Sequence, residues 1–260
     1  MNRIPVSVDL SAYPAAFHPI LQDAAVFDSS CSREARVWFI DKDGGYYLKR
    51  APKDTLDAEA RMTRYFHEKG LAAEVLSYLS ADHDWLLTRR VPGEDCIHPE
   101  YLEDPKRLSE LTGLLLRQLH ALDPTGCPVL RTQDYLQTAA KNYHTGHYDN
   151  DLFPDNWGYR SAGEAWSVVR EFSGSLKSDT LLHGDYCLPN IILNDWAFSG
   201  FIDLDHAGIG DRHIDLFWGV WTLQFNLKTD IYADRFLDAY GWDRIDPEIL
   251  RAIAAFEVFG

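Results

Sequence analysis

Apolar positions follow two regimes along this chain. The first third has short apolar runs bounded by turn formers, as expected of strands. Ala35 to Lys49 reads A-R-V-W-F-I-D-K-D-G-G-Y-Y-L-K, which predicts two strands joined at Asp43-Gly44-Gly45, a strong hairpin signal. Thr55 to Lys69 is helix-forming, with Leu56, Met62 and Phe66 available for an apolar face. Trp85-Leu86-Leu87-Thr88 predicts a buried strand, and Arg89-Arg90-Val91-Pro92-Gly93 then breaks regular structure. This break divides the chain into expected lobes at 1–92 and 93–260.

The remainder is mostly helical in period. Leu108, Leu111, Leu115 and Leu119 recur at three- and four-residue steps within Pro105 to Leu122 and predict a buried amphipathic helix. Ile191-Ile192-Leu193 and Phe201-Ile202 flank a polar turn at Asn194-Asp195, the pattern of a short hairpin. Three helices follow, roughly 213–226, 230–240 and 246–259, the last opened by Asp246 as N-cap and Pro247 at the first helical position. On the first of them Trp218, Trp221 and Phe225 form a stripe that core packing explains more readily than a ligand shelf. Asn142 to Arg160 is rich in turn formers and aromatics and carries Asp149, Asp151 and Asp155 without a lysine. A loop of that length in a compact domain is functional or disordered, and its aromatics argue against disorder.

Composition narrows the function classes. The 260 residues, 46% hydrophobic, suffice for a sizeable core. Forty acidic against 25 basic residues give a formal net charge of -15 and no Lys/Arg run, which argues against a nucleic-acid partner and suits a small cationic one. Cysteines 31, 96, 127 and 187 form no C-x-x-C pair, so free thiols in a reducing compartment are expected. With no signal-like apolar segment at the N-terminus and no membrane-length apolar run, a cytoplasmic chain without a membrane partner is expected.

The candidate chemistry lies between His183 and Asp215. Magnesium-assisted phosphoryl transfer needs one carboxylate near the acceptor hydroxyl, with a second carboxylate and a neutral oxygen ligand for the metal. Asp185, Asp203 and Asn190 are that set, and the five-residue step from Asp185 to Asn190 equals that of the protein-kinase catalytic loop. His183, His206 and His213 lack the spacing of a hydrolytic metal site. His183-Gly184-Asp185-Tyr186-Cys187-Leu188-Pro189-Asn190, followed by Ser199-Gly200-Phe201-Ile202-Asp203, resembles the aminoglycoside phosphotransferase family, and within it the 3'-phosphotransferases.

That resemblance implies a two-lobed, protein-kinase-like α+β fold: a small N-terminal antiparallel sheet with one helix, and a larger, mainly helical C-terminal lobe. It implies an ATP- or GTP-dependent, Mg2+-assisted phosphotransferase acting on a hydroxyl of a cationic small molecule, an aminoglycoside foremost. The alternatives are a kinase of another amino-alcohol or sugar, or a nucleotide-binding module without turnover. By resemblance Lys49 binds the α and β phosphates and Glu59 pairs with it. Local sequence alone reads Lys49 as an edge-strand lysine and Glu59 as a solvated residue at a helix start. A serine flap at Ser29, Ser30 and above all Ser32 would cover the phosphates, and the backbone of Arg89 and Val91 would meet the adenine. Asp185 would be the catalytic base, Asn190 and Asp203 the metal ligands. Substrate contacts fall to Asp149, Asp151 and Asp155, to His206 where the family often has arginine, and to Glu257 with the terminal carboxylate. Phe256 stands where a second acid is usual. Asp211 and Asp215 are read as scaffold carboxylates, His120 as structural, and Asp205 as belonging to the metal shell or the substrate.

Overall fold

The fold is taken from a computed structural model, which describes residues 3–31, 35–148 and 158–260. In chain order the strands are β1 (Ile4–Val6), β2 (Ala25–Asp28), β3 (Arg36–Asp41), β4 (Tyr46–Pro52), β5 (Val75–Ser80), β6 (His83–Arg89), β7 (Glu94–Asp95), β8 (Thr180–Leu182), β9 (Ile191–Asn194), β10 (Ala197–Phe201) and β11 (Gly208–Gly210). The helices are α1 (His18–Leu21), α2 (Asp57–Glu68), α3 (Pro99–Leu102), α4 (Pro105–Leu119), α5 (Thr132–Thr145), α6 (Ala162–Phe172), α7 (His213–Leu227), α8 (Ala233–Tyr240) and α9 (Pro247–Glu257). They fall into two compact units, Met1–Cys96 with Pro189–Asp205, and Ile97–Leu188 with His206–Gly260.

The first unit is built on a six-stranded antiparallel sheet in the order β1-β2-β3-β4-β6-β5. Alternation along β4 sends Tyr46 and Leu48 to one face, where they join Phe17, Leu21, Val26, Ile40, Trp85 and Leu87. The opposite face takes Ala51, packed with Leu56, Ala60 and Leu86 under α2. Lys49 therefore projects toward α2, from a strand paired on both sides, with Val37 and with Leu86. The edge-strand reading of Lys49 does not hold. The start of α2 is fixed by Asp84, a buried carboxylate that accepts from the Leu56 amide at 2.9 Å, Tyr78 Oη at 2.9 Å and Ser80 Oγ at 2.6 Å.

A three-stranded sheet in the order β10-β9-β7 completes this unit. The β9–β10 turn is Asp195-Trp196, both with positive φ as a two-residue hairpin requires, one position beyond the predicted Asn194-Asp195. The register slips between Phe198 and Gly200, a bulge at Ser199 that precedes the strand end carrying Asp203. Because β7 pairs with β9, the unit continues past Pro92-Gly93 to Cys96 and takes in 189–205, which the expected division at 92/93 placed in the second lobe. Gly93 permits that crossing: its φ is +110°, and a Cβ there would lie 2.1 Å from the Leu193 carbonyl oxygen.

Among the described residues the second unit is helical apart from the β8–β11 pair. Helix α4 packs along α8, and Arg117 donates to the Tyr240 carbonyl at 3.1 Å. Helix α9, capped by Asp246 as predicted, is buried over Ala252 to Glu257 and packs on α6 and α7. The predicted loop from Asn142 begins late, since Asn142 to Thr145 finish α5 and Tyr143 stacks on Trp166 of α6 at 4.5 Å. All four cysteines are free thiols, as expected. Among the described residues no helix is long and apolar enough to cross a membrane.

Candidate active site

In the first unit, a strand, a helix and a distant hairpin converge. Lys49 Nζ donates to Glu59 Oε2 at 2.8 Å and to Asp203 Oδ1 at 2.7 Å. Glu59 reaches the lysine because it lies on the buried side of α2 with Ala60, Met62 and Thr63, so the solvated-glutamate reading fails. Asp203 is delivered by β10, which is tied to the end of α2: the Phe201 amide donates to the Leu71 carbonyl at 2.7 Å, and the Phe201 ring meets Phe66 edge-on at 6.2 Å. Asp203 itself has φ +60°, a left-handed conformation that is costly for a non-glycine residue and concentrates at functional sites. Asn190 is buried, and its carbonyl accepts from the Ile202 amide at 3.0 Å, which couples it to the strand end bearing Asp203.

The electrostatics are those of one cation among several acids. Burial works to lower the Lys49 pKa, but the Glu59 and Asp203 carboxylates outweigh it and hold the ammonium above its ordinary value. Burial pushes the Glu59 carboxyl up to about 7, with Asp203 and Asp205 adding to the rise and Lys49 opposing it. Asp205 therefore belongs to the same acidic neighbourhood. The oxygen donors Asn190 and Asp203 suit magnesium, which takes one or two carboxylates and completes its shell with phosphate and water. Among the described residues no group of three His, Cys, Asp or Glu side chains is arranged to hold a metal.

In the second unit, the H-G-D turn is pinned from behind. Asp215 accepts from the His183 amide at 2.8 Å and the Gly184 amide at 2.7 Å, and His120 Nε2 lies 3.0 Å from its Oδ2. Burial lowers the His120 pKa, so the ring is neutral. Nε2–H then donates to Asp215, and Nδ1, 3.0 Å from Tyr240 Oη, accepts from that hydroxyl. Gly184 has φ +85°, and a Cβ there would lie 2.0 Å from the His206 carbonyl oxygen, so only glycine fits between the turn and residue 206. The turn is closed by the Cys187 amide donating to the Asp185 carbonyl at 2.8 Å and by Leu188 N donating to Thr222 Oγ1 at 3.1 Å.

Glu257 is buried beside this turn. It accepts from Tyr135 Oη at 2.7 Å and from the Trp218 side chain, and burial pushes its pKa up to about 7, with Asp185 and Asp215 raising it further. Tyr135 stacks on Phe256 at 5.6 Å, which seats the residue standing in place of an acid in the apolar wall. His206 is exposed, in the turn that follows Asp205.

Ser30 Oγ accepts from the Val37 amide at 3.0 Å, so this hydroxyl closes its own loop at the start of β3. The Arg89 amide donates to the Glu74 carbonyl and the Arg90 amide to the Gly45 carbonyl, both at 3.0 Å, because β6 keeps its pairing to its end. Neither amide is then a donor for a nucleotide. Val91 is buried, in contact with Gly200. Ser32, Asp149, Asp151 and Asp155 lie outside the described residues. The pinning of the turn by His120, and the Tyr135 and Trp218 contacts to Glu257, have no local sequence signal, since partners such as His120 and Asp215 stand 95 residues apart.

Comparison with known proteins identifies the family. Residues 27–253 match the phosphotransferase enzyme family. A probable aminoglycoside 3'-phosphotransferase of Lactococcus lactis is 49% identical over 261 residues, spanning 100% of this chain and 99% of that protein. The chain belongs to the aminoglycoside phosphotransferase family. An aminoglycoside 3'-phosphotransferase of Streptomyces fradiae is 30% identical over 215 residues, covering 77% of this chain and 79% of that one. Among solved structures, aminoglycoside phosphotransferase APH(3'')-Id of Streptomyces rimosus, in complex with ADP and streptomycin, aligns with a TM-score of 0.77 at 24% identity. That alignment covers 97% of this chain and 99% of that chain. The expected kinase-like α+β fold of the aminoglycoside phosphotransferases is therefore present, and the chain is a phosphotransferase.

Proposed function

We propose that this protein transfers the γ-phosphoryl group of ATP or GTP to a hydroxyl of an aminoglycoside, in the manner of the 3'-phosphotransferases. The observation that carries the reading is the convergence of Lys49, Glu59 and Asp203 within 2.8 Å from a strand, a helix and a distant hairpin. Full-length similarity at 49% to a probable aminoglycoside 3'-phosphotransferase supports the acceptor class, and the excess of acids suits a polyamine.

In this reading Lys49, oriented by Glu59, binds the α and β phosphates, and the backbone of Arg89 and Val91 meets the adenine edge. Asn190 and Asp203 hold magnesium, whose charge offsets that of the transferring phosphoryl group. Asp185, on a turn held by Asp215, orients the acceptor hydroxyl and takes its proton. Because the transition state is loose, fixed placement and charge compensation outweigh the strength of the base. Ser32 is assigned to the phosphates; Asp149, Asp151, Asp155, His206 and Glu257 are assigned to the substrate amines. The test is ADP release with Mg2+, ATP or GTP, and kanamycin or neomycin as acceptor. Acceptor-dependent ADP release is expected, and ADP release on another alcohol with none on any aminoglycoside would overturn the substrate assignment.

A further inference from the structure

Helix α7 divides its apolar residues between two tasks. Ile214, Phe217, Val220 and Leu223 are buried in the second unit, whereas Trp218 and Trp221 are half-buried and Phe225 is 54% exposed. The three rings form a ladder. Trp218 meets Trp221 edge-on at 5.3 Å and 81°, and Trp221 stacks on Phe225 at 4.9 Å and 10°. Core packing, the first reading of this stripe, does not account for rings that stay open to solvent.

Three observations say what covers it. The ladder begins at the catalytic turn: Trp218 hydrogen-bonds Glu257, and Thr222, one helical turn beyond Trp218, holds the Leu188 amide three residues after Asp185. Its inner end is acidic: Asp185 and Asp215 lie close enough to Glu257 to raise its pKa, and among the described residues the direct partners of Asp215 and Glu257 are neutral donors. Its outer end already carries a primary ammonium, since Lys228 Nζ lies 4.3 Å from the Phe225 ring centroid. Aromatic faces attract ammonium groups through their negative quadrupole, tryptophan most strongly.

We infer that the Trp218–Trp221–Phe225 ladder is a cation–π rail that seats an amino-bearing ring of the acceptor while its hydroxyl faces Asp185. The inference rests on the proposed function and makes α7 a determinant of acceptor specificity. The carboxylates supply charge attraction at the inner end. The rail adds a flat surface that accepts ammonium groups without fixing their positions, so acceptors with differently placed amines share it.

Trp221→Leu tests the rail, because Trp221 is the rung between its two ends. The acceptor KM should rise roughly 3- to 30-fold, as expected for loss of a partly desolvated cation–π contact, with kcat and the nucleotide KM unchanged. Trp221→Phe should recover most of the loss. An unchanged acceptor KM overturns the inference, as does a rise in both KM values together with a lowered Tm, the signature of a structural role. If the wild-type protein phosphorylates no aminoglycoside, the proposed function has failed separately. The rail is then read by titrating neamine against tryptophan fluorescence: quenching that Trp221→Leu diminishes supports it, and no quenching, or equal quenching in both proteins, overturns it.

Discussion

Two buried glutamates, Glu59 in the first unit and Glu257 in the second, are both pushed up to about 7 by burial, yet their surroundings are opposite. Glu59 is ion-paired with Lys49, which also holds Asp203, so that acidic group comes with its own cation. Glu257 is held by the neutral donors of Tyr135 and Trp218, and its charged neighbours Asp185 and Asp215 are acids. A carboxylate kept by neutral donors pays desolvation without a counter-charge, so a cation supplied from outside is stabilised there more than in water. The first arrangement suits holding phosphates in place. The second suits recognising an amine, and the contrast follows from whether a lysine is within reach.

Three substitutions break or sharpen this contrast. If Asp185 is the base, as proposed, Asp185→Asn keeps the shape of its turn and removes that base, so turnover should fall by roughly 10²–10⁴-fold with nucleotide affinity little changed. Equilibrium nucleotide binding beside single-turnover kinetics checks this, and weakened binding with intact turnover would reassign Asp185. Lys49→Ala should raise the KM for ATP and lower kcat together, since in the proposed function the ammonium both binds the phosphates and keeps them in line. Glu59→Gln should reproduce part of that defect, and wild-type kinetics in both variants would leave the ion pair without a functional role.

The smallest effect concerns pH. Between the ordinary glutamate value near 4.5 and about 7, the folded protein keeps Glu257 protonated while the unfolded chain has lost that proton. Glu257 therefore contributes a stability that is lost as pH rises through this window, the reverse of an ion-paired carboxylate with a lowered pKa. Glu257→Gln should flatten the fall of Tm across this range, and an unaltered slope in thermal unfolding would show that the carboxyl titrates normally. Glu59→Gln should flatten the same slope, but with the loss of nucleotide affinity that Glu257→Gln lacks.

Where local chemistry repeats a known pattern, the sequence was legible. The Asp43-Gly44-Gly45 turn, the Asp246 cap and the run from His183 to Asp203 carry their conformations in residue choice, through positive φ, side-chain capping and hairpin pairing. Two of the longer unread helices, α6 and α5, each left a mark. Ser161 accepts from the Glu164 amide at 3.2 Å and Glu164 from the Arg160 amide at 2.8 Å, a capping arrangement visible as S-x-x-E at the start of α6. Gly146, with φ +71°, ends α5 as a left-handed cap. Helix α5 buries Ala139 but lacks the broad apolar stripe that periodicity detects, so its turn-rich C-terminal end read as loop.

By itself the sequence determined the elements with a strong local pattern, the run from His183 to Asp203 with its spacing, and the acidic balance, because these depend on neighbours a few residues away. Tertiary structure decided the environment of each charged group. Glu59 and Lys49 were ambiguous locally and became an ion pair only when the pleat of β4 and the buried side of α2 faced each other. Asp215 and His120 acquired their role only when α7 and α4 brought them behind the H-G-D turn. The same holds for the aromatic stripe of α7, whose spacing favoured a core and whose exposure only the fold decided. Periodicity states which residues share a face, whereas burial and partners depend on what the rest of the chain places against it.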